Sequence, residues 1–147
     1  MVLKKGTDTL LKAEISERVN ETRRPPKPVV LIVEDEETLA QLLALRLKRK
    51  HYLTLIAHDG NKACQMAIKT LPDVILLDIM LPKKDGWEVC RFIRSHNDPR
   101  ISIIPIIMIS ALNTEDLENK AISIGADRFL CKPYNFGEIF HTIDLVL

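Results

Sequence analysis

Glycine is scarce in this chain, five among 147 residues, aromatic side chains make up only 5%, and the three cysteines, Cys64, Cys90 and Cys131, form no Cys-x-x-Cys pair. An odd, scattered set of thiols excludes a disulfide framework and leaves reduced, buried cysteines. Charge of one sign is missing too: 21 Lys and Arg face 20 Asp and Glu, a net of +1. That removes the general electrostatic case for nucleic acid or an anionic membrane as main partner, because both demand concentrated positive charge. There is no long hydrophobic run. The longest apolar stretch, Ile101 to Leu112, is broken by Ser102, Pro105 and Ser110 and is too short to span a bilayer, and the Met1 end has no signal-peptide apolar core. A cytoplasmic location is expected. What is present, 46% apolar and 28% charged residues, fits one ordinary globular domain and excludes collagenous, mucin-like and wholly disordered chains.

Residues 1–27 differ in texture from the rest. Leu11, Ile15 and Val19 form a weak helical stripe at four-residue spacing, and Arg23-Arg24-Pro25-Pro26-Lys27-Pro28 cannot continue a helix. A short helix and an extended linker are expected, either a solvated leader or a stripe that packs against a partner or a second copy. From residue 28 to 147, short apolar runs alternate with stretches of helical period. The spacing predicts strands at Val29–Val33, Leu53–Ala57, Val74–Leu77, Ile103–Ile109 and Arg128–Cys131. Helices are predicted over Thr38–Lys50, with Leu39, Leu42, Leu43 and Leu47 on one side, and over Lys62–Thr70, with Ala63, Met66 and Ala67 inward. Three more should run from the loop 78–86 to about Ser95, from about Thr114 to Ile124, and from Asn135 onward. Five strands that are apolar throughout, each followed by a helix, predict a doubly wound α/β fold: a five-stranded parallel sheet with helices on both faces.

In such a sheet, functional groups collect beyond the carboxyl ends of the strands. Run one ends in Glu34-Asp35, run three in Asp78, run four in Ser110 and run five in Lys132, whereas run two ends in a plain turn, as an edge strand does. Three carboxylates converging at one rim repel by about 1 kcal/mol per pair at 4 Å in water and about 4 kcal/mol at an effective dielectric of 20. One lysine cannot neutralise them, so a divalent cation is implied, and an all-oxygen, incompletely enclosed site suits Mg²⁺ better than zinc. None of His51, His58, His96 and His141 has a partner at metal-ligand spacing. A cation held by two or three acids keeps positions for phosphate oxygens, which points to phosphoryl transfer with Asp78 as the attacking group, while Ser110 and Lys132 hold the product.

Taken singly these residues have ordinary readings, as an acidic first helical turn, caps or a surface lysine. Taken together, Glu34-Asp35, the stretch Asp78-Ile79-Met80-Leu81-Pro82-Lys83-Lys84-Asp85-Gly86, Ser110-Ala111 and Lys132-Pro133 make residues 28–147 resemble the receiver domain of two-component response regulators. The resemblance implies a flavodoxin-like sheet of order 2-1-3-4-5, Asp78 as phosphoacceptor, Glu34 and Asp35 as the acidic pair around Mg²⁺, and the Met80 backbone carbonyl as a further metal ligand. It also implies Lys132 as the phosphate-binding lysine and a cis peptide at Lys132-Pro133. A switch follows from it: the phosphoryl group draws in the Ser110 hydroxyl and frees space into which Phe129 turns. Apolar Met80 and Leu112 at the two variable flanking positions give no hand to an attacking water, so a long-lived phosphoryl state is expected. The implied partners are a histidine kinase or phosphotransfer protein and a downstream effector, with room for a phosphorylation-dependent homodimer. Two other functions compete. An aspartyl-nucleophile phosphatase wants Asp-x-Asp after the first strand, which Asp35-Glu36-Glu37 does not supply. A receiver-like binding module without phosphorylation would need no intact acidic site, and a flavin binder would need a hydroxyl- and glycine-rich loop after Val33.

Overall fold

The computed structural model describes residues 3–23 and 25–147; Arg24 and the side chain of Val19, parts of the expected linker and stripe, lie outside the described residues. The described residues form β1 (Val29–Val33), β2 (Leu53–Ala57), β3 (Val74–Asp78), β4 (Ile106–Ser110) and β5 (Arg128–Cys131). The helices are α1 (Leu3–Arg23), α2 (Glu37–Arg49), α3 (Gly60–Thr70), α4 (Gly86–Arg94), α5 (Pro99–Ser102), α6 (Glu115–Ser123) and α7 (Phe136–Val146). All strand pairs are parallel, in the order β2-β1-β3-β4-β5. β3 is buried along its whole length and β2, at the edge, is mostly half-exposed. Each fully buried Val, Leu or Ile contributes about 1.5–3 kcal/mol, which is why uniformly apolar strands end up inside the sheet.

The strands alternate their side chains between two cores. Leu31, Val33, Ile75, Leu77 and Met108 face α3 and α4 on one side, and Val30, Ile32, Leu76, Ile107 and Ile109 face α2 and α7 on the other. Asp59, Asp85, Asp98, Thr114 and Asn135 cap the helices that follow them, each side chain accepting a backbone N–H two or three residues on.

Four details depart from the sequence reading. The fourth apolar run does not begin its strand at Ile103: Asp98 and Pro99 start the one-turn α5, Ile103 is 74% exposed, and the strand begins only after Pro105. Apolar residues alone cannot tell a buried helical turn from a strand. In α2 the side facing the sheet is Ala40, Leu43, Ala44 and Leu47, and Leu42 is exposed, because the alanines let the backbone approach the sheet closely. In α3 Cys64 is buried whereas Met66 is only half-buried. The N-terminal helix is 21 residues long rather than short, and its side chains from Asp8 to Arg18 are all exposed. Among the described residues no helix is long and apolar enough to cross a membrane.

Candidate functional site

The carboxyl ends of β1, β3, β4 and β5 bring together what the sequence scatters over about a hundred residues. Glu34 follows β1, its N–H donating to the Ala57 carbonyl (3.0 Å), and Asp78 is the last residue of β3, paired in register with Ile109. Ser110 closes β4, and its carbonyl accepts the Lys132 N–H at 2.7 Å, which sets the lysine at the same rim. The Lys132-Pro133 peptide is cis.

Glu34, Asp78 and Ser110 are buried, whereas Asp35 is exposed. The Lys132 Nζ lies 2.7 Å from Asp78 Oδ2 and 3.3 Å from Glu34 Oε2, so one ammonium bridges two acids. Asp78 Oδ1 accepts the Met80 N–H at 3.1 Å, and Ser110 Oγ accepts the Leu112 N–H at 3.0 Å. Burial, reinforced by the hydrogen bond and charge of Asp78 and only partly offset by Lys132, pushes the Glu34 carboxyl up to about 8. Burial pulls the Lys132 ammonium down, but its bonds and charge interactions with Asp78 and Glu34 outweigh this and raise its pKa.

One carboxylate oxygen from each of Glu34, Asp35 and Asp78 lies within 4.8 Å of the others. An octahedral cation with metal–oxygen bonds of about 2.1 Å holds neighbouring ligand oxygens about 3 Å apart and opposite ones about 4.2 Å apart, so small side-chain rotations suffice. The donor set is all oxygen, with a surplus of negative charge over the single lysine, and it fits Mg²⁺.

Two clefts flank this centre. One, of about 450 Å³, runs past Asp35, Met80, Pro82, Asp85 and Trp87. The other, of about 420 Å³, is lined by Leu39, Ala111, Lys132, Pro133 and Tyr134. Phe129 is half-buried against the core that contains Val89 and Met108. The loop after Asp78 is held rigidly: Gly86 N–H donates to the Ile79 carbonyl at 2.9 Å, and a Cβ on Gly86 would run into the Asp78 carbonyl oxygen. Gly60 is equally constrained, since a Cβ there would collide with the Lys84 carbonyl oxygen, and Lys83, at φ 67°, pairs with Asp59 across the same junction.

Two features escaped the sequence reading. The Tyr134 hydroxyl is buried beside Lys132 without a hydrogen-bond partner among the described residues, and burial pushes its pKa up to about 12. Lys120 of α6 sits 4.2 Å over the ring of Trp87 in α4, tying two helices together beside the site. The aromatic next to Lys132-Pro133 was a visible hint of the first; nothing in the sequence spacing signals the second.

A doubly wound sheet whose carboxyl rim holds a lysine-bridged acid cluster defines a class of phosphate-handling switch folds, and the comparisons narrow it. The family model for the response regulator receiver domain matches residues 30–144, and the chain belongs to that family. It is similar to the chemotaxis response regulator CheY4 of Vibrio cholerae, at 27% identity, covering 83% of this chain and 100% of that one with a TM-score of 0.77. It is also similar to the signal receiver domain of a putative Luxo repressor protein from Vibrio parahaemolyticus (32% identity, 82% and 89% covered, TM-score 0.74). A third relative is the signal receiver domain of a signal transduction histidine kinase from Syntrophus aciditrophicus (29% identity, 82% and 89% covered, TM-score 0.73). Receiver domains are regulatory phosphoacceptors that bind Mg²⁺ at an acidic pocket.

Proposed function

We propose that residues 28–147 act as a cytoplasmic phosphoacceptor switch that takes a phosphoryl group onto Asp78 from a histidine kinase or phosphotransfer protein. The observation that supports this most is the contact of the Lys132 ammonium with Asp78, at 2.7 Å, inside a cluster of three acids.

In the transfer, an Asp78 carboxylate oxygen bonds to phosphorus as the phosphorus–nitrogen bond of the donor histidine breaks, and the imidazole leaves with a proton. Asp78 Oδ1 accepts the Met80 N–H, which favours one orientation of the carboxylate for an incoming group. Lys132 stays an ammonium at neutral pH and moves from the Asp78 oxygen to a phosphoryl oxygen, a charge-assisted bond worth about 1.5–3 kcal/mol. The Ser110 oxygen accepts from Leu112 N–H, which leaves its own proton to donate to a second phosphoryl oxygen. Glu34, Asp35, Asp78 and the Met80 carbonyl would hold Mg²⁺, which when bound supplies neutralising charge for the acids and the phosphoryl oxygens. Once Ser110 is drawn toward the phosphoryl group, Phe129 turns into the space it leaves and alters the surface around α6 and β5. The protein is in this reading a regulator, with no turnover of a separate substrate.

Incubation with acetyl phosphate and Mg²⁺, followed by intact-mass measurement, tests the assignment. One added phosphate is expected on the unaltered chain and none on Asp78→Asn. A phosphate retained by Asp78→Asn removes the assignment.

A further inference from the structure

β2 is the strand that delivers no acid, hydroxyl or lysine to the rim, and the turn after it, His58-Asp59-Gly60, reads in the sequence as plain punctuation. In the fold that turn touches both loops that carry the acids. Toward the loop after β3, the Gly60 N–H donates to the Pro82 carbonyl at 3.4 Å, and the Asp59 carboxylate pairs with Lys83 at 3.5 Å while capping α3 through the Lys62 N–H at 2.7 Å. Toward the loop after β1, the Ala57 carbonyl accepts the Glu34 N–H at 3.0 Å, and His58 Nδ1 lies 3.0 Å from the Glu34 carbonyl oxygen. A carbonyl can only accept, so Nδ1 carries the ring hydrogen and donates it.

The loop that His58 reaches is short. Residues 34–36 alone separate β1 from α2, and two of the three acids, Glu34 and Asp35, lie in it. The Glu34 carboxylate is held by the Lys132 ammonium at 3.3 Å, and Asp78 by the same ammonium at 2.7 Å and by the Met80 N–H at 3.1 Å. Asp35 differs from both: it is exposed, and among the described residues its carboxylate accepts no hydrogen bond and joins no ion pair. One of its oxygens nonetheless lies within 4.8 Å of an oxygen of each of the other two acids. With no bond at its tip, Asp35 owes that place to its backbone, and the peptide that joins it to Glu34 is the one whose carbonyl His58 holds. A peptide unit is planar, so holding its oxygen fixes the direction in which the next Cα departs.

We infer that His58 is a positioning residue for the cation site: its Nδ1–H bond to the Glu34 carbonyl sets the plane of the Glu34–Asp35 peptide and so aims the Asp35 carboxylate at the oxygens of Glu34 and Asp78. The inference rests on the reading of this cluster as a Mg²⁺-dependent phosphoacceptor site. Bonds that orient a ligand residue tune metal affinity without touching the metal. The His58 ring is exposed and its bond competes with water, so the effect is that of one net hydrogen bond, about fivefold in affinity.

Mg²⁺ titration of the full chain followed by the fluorescence of Trp87, which shares a cleft with Asp35, tests this in the unaltered chain, His58→Ala and His58→Asn. His58→Ala is expected to weaken Mg²⁺ about fivefold and to leave the metal-free Tm little changed. The amide nitrogen of an asparagine stands as many bonds from Cβ as Nδ1 does, so His58→Asn should recover most of the affinity. With acetyl phosphate, the Mg²⁺ concentration that half-saturates Asp78 phosphorylation should rise by the same factor in His58→Ala, while the rate at saturating Mg²⁺ stays that of the unaltered chain. A two-bond nitrogen–proton NMR spectrum of the metal-free protein in mildly alkaline buffer should show His58 as the Nδ1–H tautomer. Equal Mg²⁺ affinities in the unaltered chain and His58→Ala overturn the inference and leave the phosphoacceptor reading standing. So does an Asn variant no better than the Ala variant, a ring in the Nε2–H tautomer, or a lowered saturated rate with an unchanged half-saturation point. An unaltered chain that neither responds to Mg²⁺ nor takes up phosphate removes the reading itself, and the inference with it.

Discussion

Glu34 is the most buried of the three acids in the candidate site. It is 4% exposed, its carboxyl sits beside Asp78 and Lys132, and burial raises its pKa from 4.5 to about 8. Without a cation its protonated form therefore prevails at neutral pH. The stability that this protonation contributes is complete below pH 4.5 and is lost as pH rises toward 8, because the folded state holds a proton that the unfolded state has released. In the proposed function the Glu34 carboxylate is one of the groups that would hold the cation, and there the proton competes with it. The apparent Mg²⁺ affinity is expected to fall by up to about tenfold for each pH unit below 8 and to level off above it. Trp87, in the cleft that also contains Asp35, provides the fluorescence signal for titrations at pH 6, 7 and 8. Glu34→Gln should flatten the profile; an affinity that is level from pH 6 to 8 in the unaltered chain would show that Glu34 does not face the cation.

Between elements, the side chain that does most is Arg94, near the end of α4. Its Nε donates to the Gly125 carbonyl at 2.7 Å, one terminal nitrogen donates to the Ser102 and Ile104 carbonyls at 2.9 and 2.7 Å, and the other pairs with Asp127 at 2.8 Å. Asp127 in turn accepts the Ile106 N–H, so one guanidinium joins α4, α5 and the starts of β4 and β5. A lysine has no planar fork with which to reach these acceptors. Arg94→Lys is expected to leave carbonyls unpaired and to cost about 2 kcal/mol, read as a lower urea midpoint with an unchanged slope. Such a hub was not legible in the sequence, where Arg94 is one of 21 basic residues. The strands were legible because each is a closed apolar run, and Glu34, Asp78, Ser110 and Lys132 because each ends one. α5 was not, since a one-turn helix started by Asp98 and Pro99 interrupts a run whose composition alone reads as strand. The inward face of α2 was misjudged at Leu42 because close packing selected the alanines over the leucine.

At the scale of the whole molecule the two ends of the sheet carry different groups. The carboxyl ends gather the acids and Lys132, and the edge groove beside β2 gathers Lys27 and Lys48. A ligand that binds only the folded state stabilises all of it, so cation binding at one end must appear in global unfolding. Mg²⁺ at ten times its dissociation constant is expected to add about 1.4 kcal/mol to the unfolding free energy. For a chain of this length that is a rise of roughly 3–6 °C in Tm. Asp35 is exposed, so Asp35→Ala should leave the metal-free Tm almost unchanged and abolish the rise. Leu53→Glu, at the other end, should keep the full rise, because sites with no shared partners and no common neighbour contribute additively. A Mg²⁺ response that survives in Asp35→Ala would place the cation outside the acid cluster, and one lost in Leu53→Glu would mean that the two ends of the sheet are coupled through it.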